Sequence, residues 1–223
     1  MAVQVEELNP PNERIVNGRT DVGVVAARCK AYAIFSELLA SPFDIEVDER
    51  AGTERFEELS LPYELEALPA LIEEWQGAEI TALKRDYSGL FEVGDDGPPT
   101  PIREDVFLEQ PAGVREDIVR FYDFFNYALS DNFAWAPDHL SVQLEFMHFL
   151  CYYETQQEGD VLSYQLAQFD FAERHLFTWV PQLAEAVRQL QPDALYSRLI
   201  HLLSEFVAKD LEWQSGTISE SEV

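Results

Sequence analysis

The sequence predicts an all-α protein, a single-domain helical bundle of seven or more helices. Three observations point there. Apolar residues recur at spacings of three and four along successive segments, as helices with one buried face require. Polar joints carrying Pro or Gly separate these segments, and no segment shows the alternation of a half-buried strand. With 223 residues, 47% hydrophobic and 13% aromatic, the chain can build one large core.

Taken in order, residues 1–19, with Pro10 and Pro11, read as a flexible lead-in. The helical domain is expected over 20–214. Its first helix has Thr20 or Asp21 as cap and Ser41-Pro42 as stop, with Ala27, Arg28, Ala31, Ile34, Phe35 and Leu38 largely on one face. Residues 43–60 are too charged and irregular to assign, although 54–59 could form a short helix. Residues 61–75 and 80–91 are helical. Residues 92–105 are dense in Gly, Pro and Asp, and a loop of that length inside a compact domain is often functional. No Gly-Lys-Ser/Thr follows it, so it is not a phosphate-binding loop. Helices are then expected over 114–129, 137–155, 161–178 and 181–190, and a last one from Pro192, before an acidic flexible tail at 215–223.

The helix at 137–155 is the organising feature. Pro137 suits a first helical position, and Asp138 suits the positive end of the helix dipole. Behind them Leu140, Leu144, Met147 and Cys151 make a buried stripe that Val142, Phe146 and Leu150 widen.

Charge excludes several functions. The 42 acidic residues against 15 basic give a net charge of −27, which repels nucleic acid and anionic lipid. Such a surface suits a salt-adapted protein or a cationic partner. Cys29 and Cys151 stand in apolar helical surroundings as free thiols, and no run of roughly 20 apolar residues offers a membrane span. A cytoplasmic location is the expectation.

Catalytic chemistry finds little support. Glu145 and His148 have the Glu-x-x-His spacing of a di-iron helix, but the chain lacks a second copy, since Glu173 and His175 stand two apart. No metal or other cofactor is expected; a metal-dependent bundle enzyme using Glu145 and His148, or a structural subunit of a complex, are the alternatives. His139, at a helix start, stands where its ring could face a groove, while Asp138 either caps its helix or accepts a donor from a partner.

At these residues the chain resembles the TorD/DmsD/NarJ-type chaperones of molybdenum oxidoreductases. The run from Ala136-Pro137-Asp138-His139 to Met147 is similar to the family's Pro-Asp-His signature. Asp86-Tyr87-Ser88-Gly89-Leu90-Phe91, running on to Gly94, resembles its acidic-aromatic stretch, and Pro98-Pro99-Thr100-Pro101 up to Glu104-Asp105-Val106 its Pro-rich loop. Residues 171–179 and the stretch from Leu195-Tyr196 resemble its C-terminal helices, so the likeness spans about 20–213. The resemblance implies a non-catalytic chaperone that binds the twin-arginine leader or N-terminal region of a molybdenum enzyme's catalytic subunit and assists cofactor insertion before export or membrane attachment. Asp138 and His139 match the signature pair and Tyr87 the family's aromatic.

A leader with two cations and an apolar stretch calls for an acidic rim beside a hydrophobic groove. Glu104, Asp105 and Asp138 are the rim candidates; Tyr87, Phe91, Pro101, Leu140 and Met147 are the groove candidates. Two positions depart from the family pattern, Arg103 in the Pro-rich loop and Trp135-Ala136 before the signature, and both suggest a client preference of its own. The resemblance leans toward the chaperones of the type II enzymes, those for dimethyl sulfide, ethylbenzene, selenate or chlorate. It allows a monomer or a dimer with exchanged helices, for which the loop at 92–105 would be the hinge.

Overall fold

The computed structural model describes residues 14–16, 19, 21–43, 59–94, 97–109, 113–129, 136–156 and 160–220. The start of the expected lead-in, the short helix expected at 54–59 apart from Leu59, the centre of the Pro-rich loop at 95–96, and Trp135 lie outside these residues.

The protein is all-α. Its helices are α1 (Val22–Leu39), α2 (Leu68–Gly77), α3 (Ile80–Phe91), α4 (Glu104–Phe107), α5 (Val114–Phe124), α6 (Leu140–Gln156), α7 (Val161–Phe171), α8 (Val180–Leu190) and α9 (Leu195–Thr217). One short antiparallel pair joins β1 (Arg14–Val16) to β2 (Ile218–Glu220), with Arg14 opposite Glu220. Where the sequence suggests only a lead-in and a tail, these six residues therefore pair. Arg19 is also held, its Nε donating to Thr217 Oγ1 at 2.9 Å.

Local chemistry explains where the helices begin and end. Asp21 caps α1 by accepting from the Gly23 and Val24 amides at 2.8 and 3.4 Å. Gly113 (φ +105°) precedes α5, in a backbone region that favours glycine, and Glu116 reaches back to its amide at 2.8 Å. At the other end α5 stops at Phe124, short of the expected 129. Asn126 takes φ +52°, and the Tyr127 and Asn126 amides turn back to the Tyr122 and Asp123 carbonyls at 2.8 and 3.2 Å. The last helix starts at Leu195 and not at Pro192, because 191–194 fold as a turn closed by Ala194 N–H to Gln191 O.

α6 is the central helix, flanked by α1 and α7. Leu140, Leu144, Met147 and Cys151 are fully buried, as are Phe146 and Leu150. The Tyr32, Phe35 and Phe206 rings pack together from α1 and α9, and α8 folds back against α9. Beneath this apolar core runs a buried charge network. Arg28 donates from Nε to Asp210 Oδ1 at 2.6 Å and from Nη2 to Oδ2 at 3.0 Å. Tyr32 and Tyr63 add hydroxyl donors to the same carboxylate at 2.6 and 2.7 Å. Glu154 accepts from Gln165 and Gln168, and the Trp213 ring lies under the Arg28 guanidinium.

α7 does not run on as an α-helix to 178. It passes into a π turn, Ala172–Leu176, where Phe177 N–H reaches five residues back to the Ala172 carbonyl at 2.8 Å. The wider turn carries His175 into the interior.

Candidate functional site

The site forms where the Pro-rich loop meets the start of α6. Thr100 pins the loop to the end of α3, its amide and hydroxyl both donating to the Leu90 carbonyl at 3.0 and 2.9 Å. The next residues pair with the lip in front of α6. Glu104 N–H donates to Asp138 O and Leu140 N–H to Ile102 O, both at 3.1 Å, so Arg103 and His139 face each other across an antiparallel bridge. These bonds satisfy α6's first amide from outside the helix. α6 therefore starts at Leu140, and Pro137 and Asp138 lie in the turn ahead of it.

Asp138 is fully buried and caps a helix other than its own. Its Oδ2 accepts from the Asp105 amide at 3.2 Å, in the first turn of α4. Arg103 Nη2 lies 3.1 Å from Asp138 Oδ1 and 3.2 Å from both oxygens of Asp105. Arg115, from α5, brings its Nε within 3.6 Å of Asp138 and 4.0 Å of Asp105. Two carboxylates and two guanidinium groups thus form one cluster. Burial, then the hydrogen bond and charge of Asp138, raise the Asp105 carboxyl to about 6. Burial also works against a charged Asp138, but the Asp105 hydrogen bond and Arg103 outweigh it and hold that carboxyl below its usual range.

His139 is a packed ring. The Ser141 amide donates to Nδ1 at 3.2 Å, which makes Nδ1 an acceptor, so Nε2–H is left to donate to the Tyr87 hydroxyl oxygen at 3.0 Å. Burial lowers its pKa to about 4, and the charge of Asp138 does not reverse this. The ring is neutral at physiological pH.

Glu104 points inward. Its carboxylate accepts from Gln143 Nε2 at 2.5 Å and faces His175 Nδ1 at 3.2 Å, while His175 Nε2 lies 3.0 Å from Asp117. Burial raises its pKa, against the pull of His175. Gln143 is fully buried, and its Oε1 has no hydrogen-bond partner among the described residues.

Of the nine residues singled out from the sequence, six meet around this loop and lip. Tyr87, Phe91, Pro101 and His139 border one cleft together with Ile102, Arg103, Val106 and Ala136; Val106 is exposed and Pro101 and Arg103 are half-buried at its surface, and the others are buried beneath them. Asp105 and Asp138 stand behind Arg103. The other three sit differently. Leu140 and Met147 are fully buried core residues on α6 and offer no surface to a ligand. Glu104 is 2% exposed and bonded inward, so it is not part of an open rim.

The alternative ligand pair also separates. Glu145 is exposed and lies against the Tyr127 hydroxyl, whereas His148 donates from Nδ1 to the Cys29 carbonyl at 3.0 Å. Among the described residues no cluster of three or more His, Cys, Asp or Glu could hold a metal ion, and no helix is long and apolar enough to cross a membrane.

Sequence patterns do not single out the residues that complete the site. Arg115, Gln143, Ser141 and Tyr122, whose hydroxyl donates to Pro137 O at 2.9 Å, carry no motif of their own. His175 belongs to a segment whose helical register is shifted by the π turn. Arg103 does carry a signal, a cation inside an otherwise acidic loop.

Comparison with known proteins places the chain among relatives. The family described as "Nitrate reductase delta subunit" matches residues 58–185. The chain is 30% identical to the perchlorate reductase assembly chaperone protein of Dechloromonas aromatica, across 92% of this chain and 96% of that one. It is 33% identical to the chlorate reductase assembly chaperone protein of Ideonella dechloratans, over 46% of this chain and 56% of that protein. Similarity extends to the chaperone protein TorD of Vibrio cholerae, at 29% identity over 62% of this chain and 65% of the relative.

Proposed function

The chain belongs to the nitrate reductase delta subunit family, which includes TorD-type assembly chaperones, and on that footing we propose that it captures the N-terminal leader of a molybdenum oxidoreductase catalytic subunit in the cleft beside Arg103 and His139. It is a molybdoenzyme chaperone and not an enzyme. Its client is a reductase subunit of the oxyanion-reducing kind, held in the cytoplasm while the cofactor is inserted and before export or membrane attachment.

The observation that carries this reading is the cleft itself. Pro101 and Val106 give it an apolar surface over the buried Tyr87, Phe91 and Ile102, and a carboxylate pair stands behind Arg103 in its lining. An apolar run following a cationic pair matches both features. The backbone bonds between loop and lip hold the two walls together, so little ordering of the receptor is needed on binding.

Val106, 41% exposed at the cleft mouth, is the position for the test because its substitution leaves the core intact. Val106→Lys should reduce capture of the full catalytic subunit in a pull-down about tenfold or more, since a cation then meets a cationic leader. The subunit without its leader should be captured poorly by both proteins. Equal capture of both subunit forms by wild type and variant would exclude the cleft.

A further inference from the structure

We propose that Arg103 and Arg115 are tethered occupants of the di-arginine seat, and that a client gains Asp105 and Asp138 only by displacing them. The inference rests on the proposed function, because it concerns how a leader's guanidinium groups enter the same cleft.

The geometry has the form of an occupied receptor. Two carboxylates stand side by side, and two guanidinium groups, twelve positions apart in the chain, converge on them from the loop and from α5. Arg103 also lines the cleft, so a cation arriving there meets a seat already neutralised. Both arginine side chains are partly solvated, at 22% and 38% exposure, whereas the Asp138 side chain is at 0%. The arginines can therefore swing into water, and the carboxylate cannot. A dicarboxylate left without cations in that setting is costly, so the seat is held either by the chain's own guanidinium groups or by a client's.

Two consequences follow from exchange. The apparent affinity equals the intrinsic affinity scaled by the fraction of molecules whose seat is open, so the tethered arginines weaken binding. The factor is common to every client that must enter the seat and does not touch a client that leaves the seat alone. A guanidinium offers the planar fork a carboxylate accepts, and an ammonium does not. Preference for paired arginine over paired lysine thus comes from the carboxylates, while Arg103 and Arg115 lower the affinity of both and the apolar run of the client supplies the net affinity.

The test uses the full chain and a fluorescent synthetic peptide with an Arg-Arg pair ahead of an apolar run, alongside Lys-Lys and Gln-Gln counterparts. Arg103→Gln and Arg115→Gln should each tighten binding of the Arg-Arg peptide about tenfold, and the double variant more. The Lys-Lys peptide should gain by a similar factor in the double variant, and the Gln-Gln peptide should not gain. Its binding should also become steeply salt-dependent, where wild-type binding, exchanging cation for cation, is nearly flat. Arg115→Gln guards against misfolding, since its side chain is the more exposed of the two, and thermal unfolding checks each protein.

Weaker or unchanged binding in both single variants overturns the proposal, as does equal tightening for the Gln-Gln peptide. Absence of peptide binding in wild type and all variants overturns it too. The cleft is judged separately by Val106→Lys: lost capture there with no gain at Arg103 or Arg115 leaves the cleft standing and removes the tethered occupants.

Discussion

His139 and Asp105 show how two neighbouring residues set opposing pH responses. His139 is neutral in the fold with a pKa of about 4, against 6.5 for a free ring. As pH falls from 6.5 to 4 the unfolded chain takes up a proton there and the folded chain does not, so stability drops. Asp105 does the reverse. Its carboxyl, raised from 3.8 to about 6, keeps a proton in the fold that the unfolded chain has released, so stability drops as pH rises through that window. Over the shared range the two slopes oppose each other. His139→Gln should be less destabilising at pH 4 than at pH 7, by up to about 3 kcal/mol. Asp105→Asn, which mimics the protonated acid, should gain in stability relative to wild type as pH rises from 4 to 7. Urea denaturation at several pH values measures both, and profiles of the same sign would contradict the assignment. The sequence marks Asp138 and His139 as special because Pro-Asp-His stands at a helix start. It does not reveal that Asp138 caps α4, since the amide it accepts lies 33 positions back in the chain.

At the scale of elements, helical periodicity locates α1, α3, α6 and α8 well, because each must bury a face and the spacing of apolar residues reports it. The helix ends and the π turn after α7 are less legible. They depend on backbone bonds, such as Tyr127 to Tyr122 and Phe177 to Ala172, that residue type only loosely controls. Arg28 illustrates the same limit. Its place on the inner face of α1 follows from spacing, while its partner Asp210 is known only once α9 is packed against α1. This pair has no exposed side-chain surface and binds tyrosine hydroxyls as well. Arg28→Met should cost about 3–5 kcal/mol, because it strands a buried carboxylate. Arg188→Ala, which breaks the solvent-exposed pair with Glu185, should leave the melting temperature close to that of the wild type. Thermal denaturation of the two variants compares them directly, and effects of similar size would mean that the buried network is not holding α1 to α9.

For the whole molecule, the charge imbalance in the sequence becomes a specific arrangement in space. Of the 15 basic residues, those at Arg19, Arg28, Arg85, Arg103, Arg115, Arg174, Arg188 and Arg198 are already committed to carboxylates in ion pairs. With 15 basic residues against 42 acidic ones the negative charge is left in large excess, and its repulsion acts across the surface. Screening should relieve it. Raising NaCl from about 0.02 M to about 0.5 M shortens the Debye length from roughly 20 Å to about 4 Å, below the usual spacing of surface charges. The expected outcome is a melting temperature several degrees higher, with most of the gain below about 0.2 M. Chloride is the right anion for the measurement, because sulfate strengthens apolar burial by itself and would raise stability for another reason. The buried Arg28–Asp210 pair is shielded from ions and should not lose strength over this range, so the surface term decides the sign. A melting temperature that falls with NaCl would mean instead that exposed pairs such as Arg198–Glu74 outweigh the self-repulsion, and the acidic surface would then owe its persistence to a cationic partner and not to salt.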